Sequence, residues 1–188
     1  LSINYSSDGG NGWMGVGWDL SIPSIDVETR WGVPRYSSSL ETESYLMAGE
    51  QLTPMIHRSG FTPREDNKTF YERVKGNFNK IKRYGTSPTS YYWVVTDRNG
   101  TKYYYGAYSD PSIVDSNLSV DYSLVLASSD NNIAHWALAE VRDLHGNFVK
   151  YHYQKISHTG VSGGSLGTQL YPQEITYTGH DTTEDSIE

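Results

Sequence analysis

The sequence predicts an all-β fold of short antiparallel hairpins forming a twisted sheet or sandwich, and three observations predict it. First, 16 Tyr, 5 Trp and 18 Gly occur in a 188-residue chain that is only 36% hydrophobic. Aromatic side chains suit a pleated, half-buried surface, and glycine suits frequent turns between short strands. Second, two segments carry strong hairpin signals, "YYWVVTDRNGTKYYYG" at 91–106 and "WALAEVRDLHGNFVKYHYQ" at 136–154. Third, the segments that could be taken for helices fail: Gly17, Pro23, Gly32 and Pro34 break the register after the opening glycines, and Phe70, Arg73, Val74, Phe78 and Ile81 keep no clean helical stripe across Gly76.

Taken in order, "LSINYS" reads as a first short strand, followed by "GGNGWMGVGW" at 9–18. The spacing Gly10-x-Gly12-x-x-Gly15 matches a dinucleotide-binding fingerprint, but that motif needs a helix to present its N–H groups to the pyrophosphate. Here Gly17, Pro23, Gly32 and Pro34 break any helical register, and Ile22, Ile25 and Val27 favour strand. Without the helix, Glu28 has no meaning as a ribose-binding acid. The glycines are instead expected to be structural, with Gly10, Gly12, Gly15 and Gly17 letting the first strand turn sharply beneath Trp13 and Trp18.

An extended run is expected through "WDLSIPSIDVETRWG", where Leu20, Ile22 and Ser24 alternate with Asp19, Ser21 and Pro23. Two short strands about Gly49 follow in "SYLMAGEQLTPMI", then a polar loop at 57–68. "TFYERVKGNFNKIKRYG" reads as a strand pair turning at Gly76-Asn77. In the first strong hairpin, Asn99-Gly100 supports the positive φ values of a type I′ turn. Both hairpins share one plan: a Trp in the incoming strand (Trp93, Trp136), an Asp opening the turn (Asp97, Asp143), and a Gly three residues later (Gly100, Gly146). Alternating Tyr in the outgoing strand completes it (Tyr103 and Tyr105; Tyr151 and Tyr153), and Asn147 closes the second turn. A short apolar strand is expected near 122–127, a mobile Gly/Ser loop at 157–169, and a last strand in "LYPQEITYT". The domain is expected to span 1–179, with 180–188 a fraying tail or linker.

A net charge of −7 and a pI near 5.3 argue against nucleic acid or an anionic membrane as the main partner. With no cysteine, disulfide scaffolds, thiolate metal sites and Cys nucleophiles are excluded. No apolar run approaches a transmembrane span and no signal segment opens the chain, which lacks an initial Met and so reads as a piece cut at Leu1. The six histidines, His57, His135, His145, His152, His158 and His180, form no HExxH or His-x-His pair, so no metal or other cofactor is expected. Glu41, Glu43, Glu140 and Asp143 are the acids from which a glycosidase pair would be drawn, but Asp97 and Asp143 also read as turn-openers whose side chains bond their own backbone. "RYSSSLETE" at 35–43 compresses the residue types of an arginine-type ADP-ribosyltransferase site into nine residues, where such enzymes spread them over distant strands.

The blocks "LSINYSSDGGNGWMGVGWDLSIPSIDVETRWGVPRY", "FYERVKGNFNKIKRYG", the two hairpins and "LYPQEITYTG", in that order, resemble the N-terminal domain of the SpvB/TcB family of bacterial virulence proteins and insecticidal toxin complex B components. "DLHGNFVKYHY" also resembles an RHS, or YD, repeat. The resemblance implies a non-catalytic structural module of a secreted or surface-delivered bacterial toxin. Such a module contributes strands to a shell, built with downstream RHS repeats and a β-propeller, that encloses a toxic C-terminal segment. ADP-ribosylation in the SpvB type belongs to a different domain. Open hairpin edges invite pairing with neighbouring repeats and, in the isolated domain, an edge-strand dimer. The alternative is a glycan-binding β-sandwich. Tyr103, Tyr105, Tyr151 and Tyr153 packed into one core favour the scaffold, and the same side chains lining an exposed concave surface favour the binder.

Overall fold

The structure is a computed structural model and describes residues 3–12, 14–55, 63–74, 76, 78–109, 123–125, 131–158 and 167–181. All regular structure among the described residues is β, and every strand pairing is antiparallel.

At the start, β1 (Ile3–Tyr5) pairs with β4 (Trp18–Leu20), and β2 (Asn11–Gly12) with β3 (Gly15–Val16) makes a miniature hairpin between them. No helix follows these glycines, so the dinucleotide reading fails on structure. The extended run expected after Trp18 is interrupted at residues 21–23. Pro23 has no N–H to offer a ladder, and its carbonyl instead accepts a hydrogen bond from Leu138 N.

The chain then builds β5 (Ser24–Val27), β6 (Tyr45–Met47), β7 (Glu50–Pro54), β8 (Lys68–Glu72), β9 (Lys80–Tyr84), β10 (Tyr92–Thr96) and β11 (Lys102–Tyr105), each beside the one before. The strand β13 (Ile133–Arg142) pairs with β11 along one edge and with β5 along the other. Those eight strands close into a barrel, which removes the free edges that an open strip would leave. Beyond the ring, β12 (Ser123–Val125) pairs with the first half of β13, and β14 (Asn147–His158) with its last three residues. β14 continues as a long ladder with β15 (Gly167–His180).

Several sequence expectations hold: the strands about Gly49, the pair β8–β9, both strong hairpins and the strand near 122–127. Three change. The loop expected at 157–169 is narrower, since Ser157 and His158 pair with Thr168 and Gly167. The strand ladder does not end at Thr178, because Phe148 and Asn147 pair with Gly179 and His180. Asp181 then donates its N–H to Gly146 O and ion-pairs with Arg142, so the tail is held as far as Asp181. Residues 159–166 and 182–188 lie outside the described residues.

The barrel is filled. Ile25, Val27, Leu52, Phe70, Ile81, Val95 and Leu138 pack with Tyr45, Trp93 and Trp136. Strand period decides who enters: on β9, Ile81 and Arg83 are buried while Lys80, Lys82 and Tyr84 face outward. Tyr45, Trp93 and Trp136 meet edge-on, with ring centroids 4.8 Å apart for Tyr45–Trp93 and 5.8 Å for the other two pairs. That geometry sets the electropositive ring edges against electron-rich faces, adding about 0.5–1.5 kcal/mol per pair to area burial.

Candidate functional site at the two barrel ends

The two strong hairpins end in the same turn. Gly100 N donates to Asp97 O and Asp97 N to Thr101 O; in the second, Gly146 N donates to Asp143 O and Asp143 N to Asn147 O. Each Asp side chain adds two acceptor contacts, Asp97 Oδ1 from the backbone N of Asn99 and Thr101, and Asp143 Oδ1 from that of His145 and Asn147. Gly100 and Gly146 sit at φ of 85° and 82°, whereas Asn99 is not in the left-handed region. The first turn is therefore a type I turn closed by a left-handed glycine, correcting the type I′ expectation. The tips touch, with Leu144 lying over Gly100 so closely that a Cβ there would meet its side chain at 2.8 Å.

The barrel end at the starts of β6, β8 and β10 is sealed by charge. The segment 36–43, which bridges at Leu40 to Pro63, sends Glu41 and Glu43 inward. Glu41 accepts hydrogen bonds from Lys68 Nζ at 2.7 Å and Tyr45 Oη at 3.0 Å, and ion-pairs with Arg83. Arg64 Nη2 lies 2.8 Å from each Glu43 oxygen, while Arg64 Nε and Nη1 donate to Ser37 O and Tyr91 Oη. The Arg83 guanidinium lies 3.8 Å from the Tyr91 ring centroid and donates to Tyr45 Oη. Burial away from water disfavours charge here. It brings Arg83 down to about 10, lowers Lys68, and pushes Tyr36 up to about 12.

The opposite end, at the turns after β6, β8 and β10, opens into a recess of about 650 Å³ floored by Pro23, Met47, Val95, Tyr103 and Tyr105 and rimmed by Glu50, Glu72, Asp97 and Arg98. Glu72 accepts a hydrogen bond from Asn79 Nδ2, and Asp97 is spent on its own turn. The recess is a barrel mouth whose rim acids are largely engaged.

Sequence-predicted residues divide as follows. Trp93 and Trp136 are central to the core, and Trp136 Nε1 donates to Tyr91 O at 2.6 Å. Tyr105 and Tyr151 are buried in the same core, with Tyr103 and Tyr153 packed against it, and Tyr153 Oη donates to Leu138 O. Trp13 lies outside the described residues. Trp18 is 46% exposed and packs on Tyr5 at 5.0 Å rather than into the core. Among the opening glycines, the constrained one is Gly17. At φ 78° its Cβ would meet Ser6 O at 2.6 Å and the Tyr5 ring at 2.8 Å, so the ring passing close is Tyr5. Gly15 also has positive φ but open space, and Gly10 has neither constraint. The side-chain surroundings of Gly12 are outside the described residues.

The acids singled out from sequence are all occupied. Glu41 and Glu43 sit in the ionic seal. Glu140 is fully buried between Arg142 Nε at 2.7 Å and Ser109 N. Asp143 holds its turn, and the Asn147 side chain, followed by backbone N–H groups, keeps its carboxyl below the usual carboxylate range. His135 Nδ1 pairs with Asp26 at 2.6 Å. Burial pushes the Asp26 carboxyl up, but hydrogen bonds from His135 and Ser24 outweigh it and the net shift is downward. His152 bridges Tyr108 Oη and Thr176 Oγ1. Among the described residues, no three His, Asp or Glu gather as a metal-holding group, and no helix is long and apolar enough to cross a membrane. Sequence reasoning missed Arg64, Lys68 and Arg83. The signal for Arg83 was present in "KIKRY", where period two puts it on the face of Ile81.

Comparison with known proteins agrees with this architecture. The family model of the Salmonella virulence plasmid 65kDa B protein, SpvB, matches residues 1–186. The mono(ADP-ribosyl)transferases SpvB of Salmonella typhimurium strain 14028s and of Salmonella dublin are each 26% identical over 166 residues, covering 81% of this chain and 26% of theirs. The chain thus spans about a quarter of the length of these relatives. The solved N-terminal domain of effector protein SpvB from Salmonella typhimurium strain LT2 superposes with a TM-score of 0.70 at 22% identity, over 95% of this chain and 60% of that one. The TcdB2-TccC3 crystal structure does so at 0.66 and 18% identity, over all of this chain and 10% of that one. At these identities the structural likeness shows a shared fold.

Proposed function

The chain belongs to the SpvB family, and from that membership we propose that it is a non-catalytic structural module of a larger secreted or surface-delivered bacterial toxin or virulence protein. In this reading it lends strands to an RHS/TcB-type shell that encloses or delivers a C-terminal toxic domain. Its partners are downstream β-propeller or RHS-repeat domains of the parent chain or complex.

The observation that carries the reading is the state of the buried acids. The side chains of Glu28, Glu41, Glu43 and Glu140 are each 3% exposed or less, and each is ion-paired with an arginine or lysine. A general acid must hold a proton near neutral pH and a general base must reach substrate. Carboxylates held in such ion pairs do neither. The inward aromatics also support a scaffold over a glycan platform, because Tyr105 and Tyr151 spend their faces on the core.

The test uses the parent protein. Arg83→Met, which opens the ionic seal, is expected to turn a protease-resistant C-terminal segment into a cleaved one under conditions where the wild type stays intact. Transfer of ADP-ribose from labelled NAD, or polysaccharide hydrolysis, by the 188-residue chain alone would sink the reading.

A further inference from the structure

Strands β9, β10 and β11 present a second face, away from the core. Thr96 is the register partner of Lys80 on one side and of Lys102 on the other, so the three form one outward row. The row continues to Arg142 on β13. Lys82 projects on the same face, and Tyr84 stacks on Tyr92 beside it, with centroids 5.1 Å apart and planes 13° apart. Lys80, Lys82, Tyr84, Tyr92, Thr96 and Lys102 line a shallow recess of about 370 Å³.

The charge of this face runs against that of the chain. The net charge is −7, yet three lysines gather here. Lys82 Nζ donates to the Asn67 amide oxygen at 2.8 Å. Among the described residues, neither Lys80 nor Lys102 has a carboxylate within ion-pairing distance. Two strand spacings, roughly 10 Å, separate them. Exposed like charges about one Debye length apart are largely screened from each other, so the fold carries the row at little cost and both ammonium groups stay available to an anionic partner. Arg142 shows what the row accepts: besides buried Glu140 it pairs with the carboxylate of Asp181, the residue that follows β15.

We propose that this face docks a short acidic segment of a partner polypeptide in extended form, its carboxylates on Lys80 and Lys102 and its aliphatic parts over the Tyr84–Tyr92 pair. An extended chain rises about 3.3 Å per residue and turns successive side chains to opposite faces, so acids four positions apart share one face at a spacing of about 13 Å, which the two flexible lysine arms reach by splaying apart. A long polyanion, nucleic acid or sulfated polysaccharide, fits less well. It would overrun the patch onto an acidic surface and be repelled within the roughly 8–10 Å reach of the field. This inference stands independently of the shell reading.

The test is fluorescence anisotropy with the whole 188-residue chain and a labelled probe peptide carrying two glutamates four positions apart. Saturable, salt-sensitive binding is expected. The double variant Lys80→Glu/Lys102→Glu should weaken it roughly three- to tenfold, the scale of two exposed ion pairs. Lys80→Gln/Lys102→Gln, a milder change at two exposed positions, should weaken it less and guards against misfolding of the reversal. Equal binding of a glutamine-for-glutamate peptide, or unchanged binding by both variants, overturns the proposal. So does binding of a heparin fragment by a chain that ignores the peptide, which would assign the face to polysaccharide.

Discussion

Single side chains decide two features of this molecule. Asp143 organises the tip of the second hairpin through two backbone N–H groups and the Asn147 amide, which prefer its ionised form. Its folded pKa is therefore depressed from an ordinary 3.8, so its contribution is complete above that value and is lost as pH falls through the lower folded pKa. An NMR titration of the Asp143 carboxyl should give a midpoint below 3.8. Asp143→Asn should keep the turn, through its remaining carbonyl acceptor, while removing that titration from the Asn147 amide shift. Arg83 works the other way. Burial disfavours its charge, and Glu41, Tyr45, the Glu65 carbonyl and the surrounding rings, nearest of them Tyr91, make the site tolerable. Arg83→Met should cost about 1.5–3 kcal/mol in urea unfolding, because it removes one of the two cations that face buried Glu41 and leaves Lys68 to hold it alone. Glu41→Leu should cost less in that background than in the wild type, where it leaves both Arg83 and Lys68 without a carboxylate, and strictly additive costs would show that the two charges do not depend on each other.

At the level of elements, β13 carries the architecture. Its first half lies between β12 and β5 and its second between β11 and β14, so one ten-residue strand both closes the barrel and launches the outer hairpin. Trp136 fastens it through the indole N–H to Tyr91 O. Trp136→Phe keeps a ring but orphans that carbonyl in a dry interior, so a loss of about 1–3 kcal/mol is expected in equilibrium unfolding. A change under a few tenths of a kcal/mol would mean that water replaces the bond. The hairpins at Asp97 and Asp143 were legible in sequence because an Asp, a Gly three residues on and flanking β-branched or aromatic runs encode a turn locally. Closure was not, because the β5–β13 seam joins residues as distant as Asp26 and His135, 109 apart, and no local pattern records such a pairing. The ionic seal was hidden differently. Charged residues usually face water, so "KIKRY" reads as surface until the alternation of Ile81 and Arg83 is weighed against that habit. At the opening glycine cluster the ring that approaches Gly17 closely is Tyr5, which lies upstream of the motif.

Across the whole molecule, stability is uneven, and its distribution follows from which strands sit in the ring. The eight barrel strands have neighbours on both edges and share one aromatic core. The β14–β15 ladder leaves that core after Tyr151 and Tyr153, and farther out Ile156 is 43% exposed. Local opening costs little where few apolar contacts are lost, and approaches the global free energy where the core must break. Native-state hydrogen exchange should therefore show amides of Val95, Leu138 and Ala139 exchanging only through global unfolding. Those of Gln154 to Ile156 and Thr168 to Tyr171 should exchange orders of magnitude faster and with a smaller denaturant dependence. A ladder as protected as the barrel would make the two one cooperative unit. A ladder that opens alone would be the part of the domain able to change partners without unfolding the rest, as a strand pair joining a larger sheet must do.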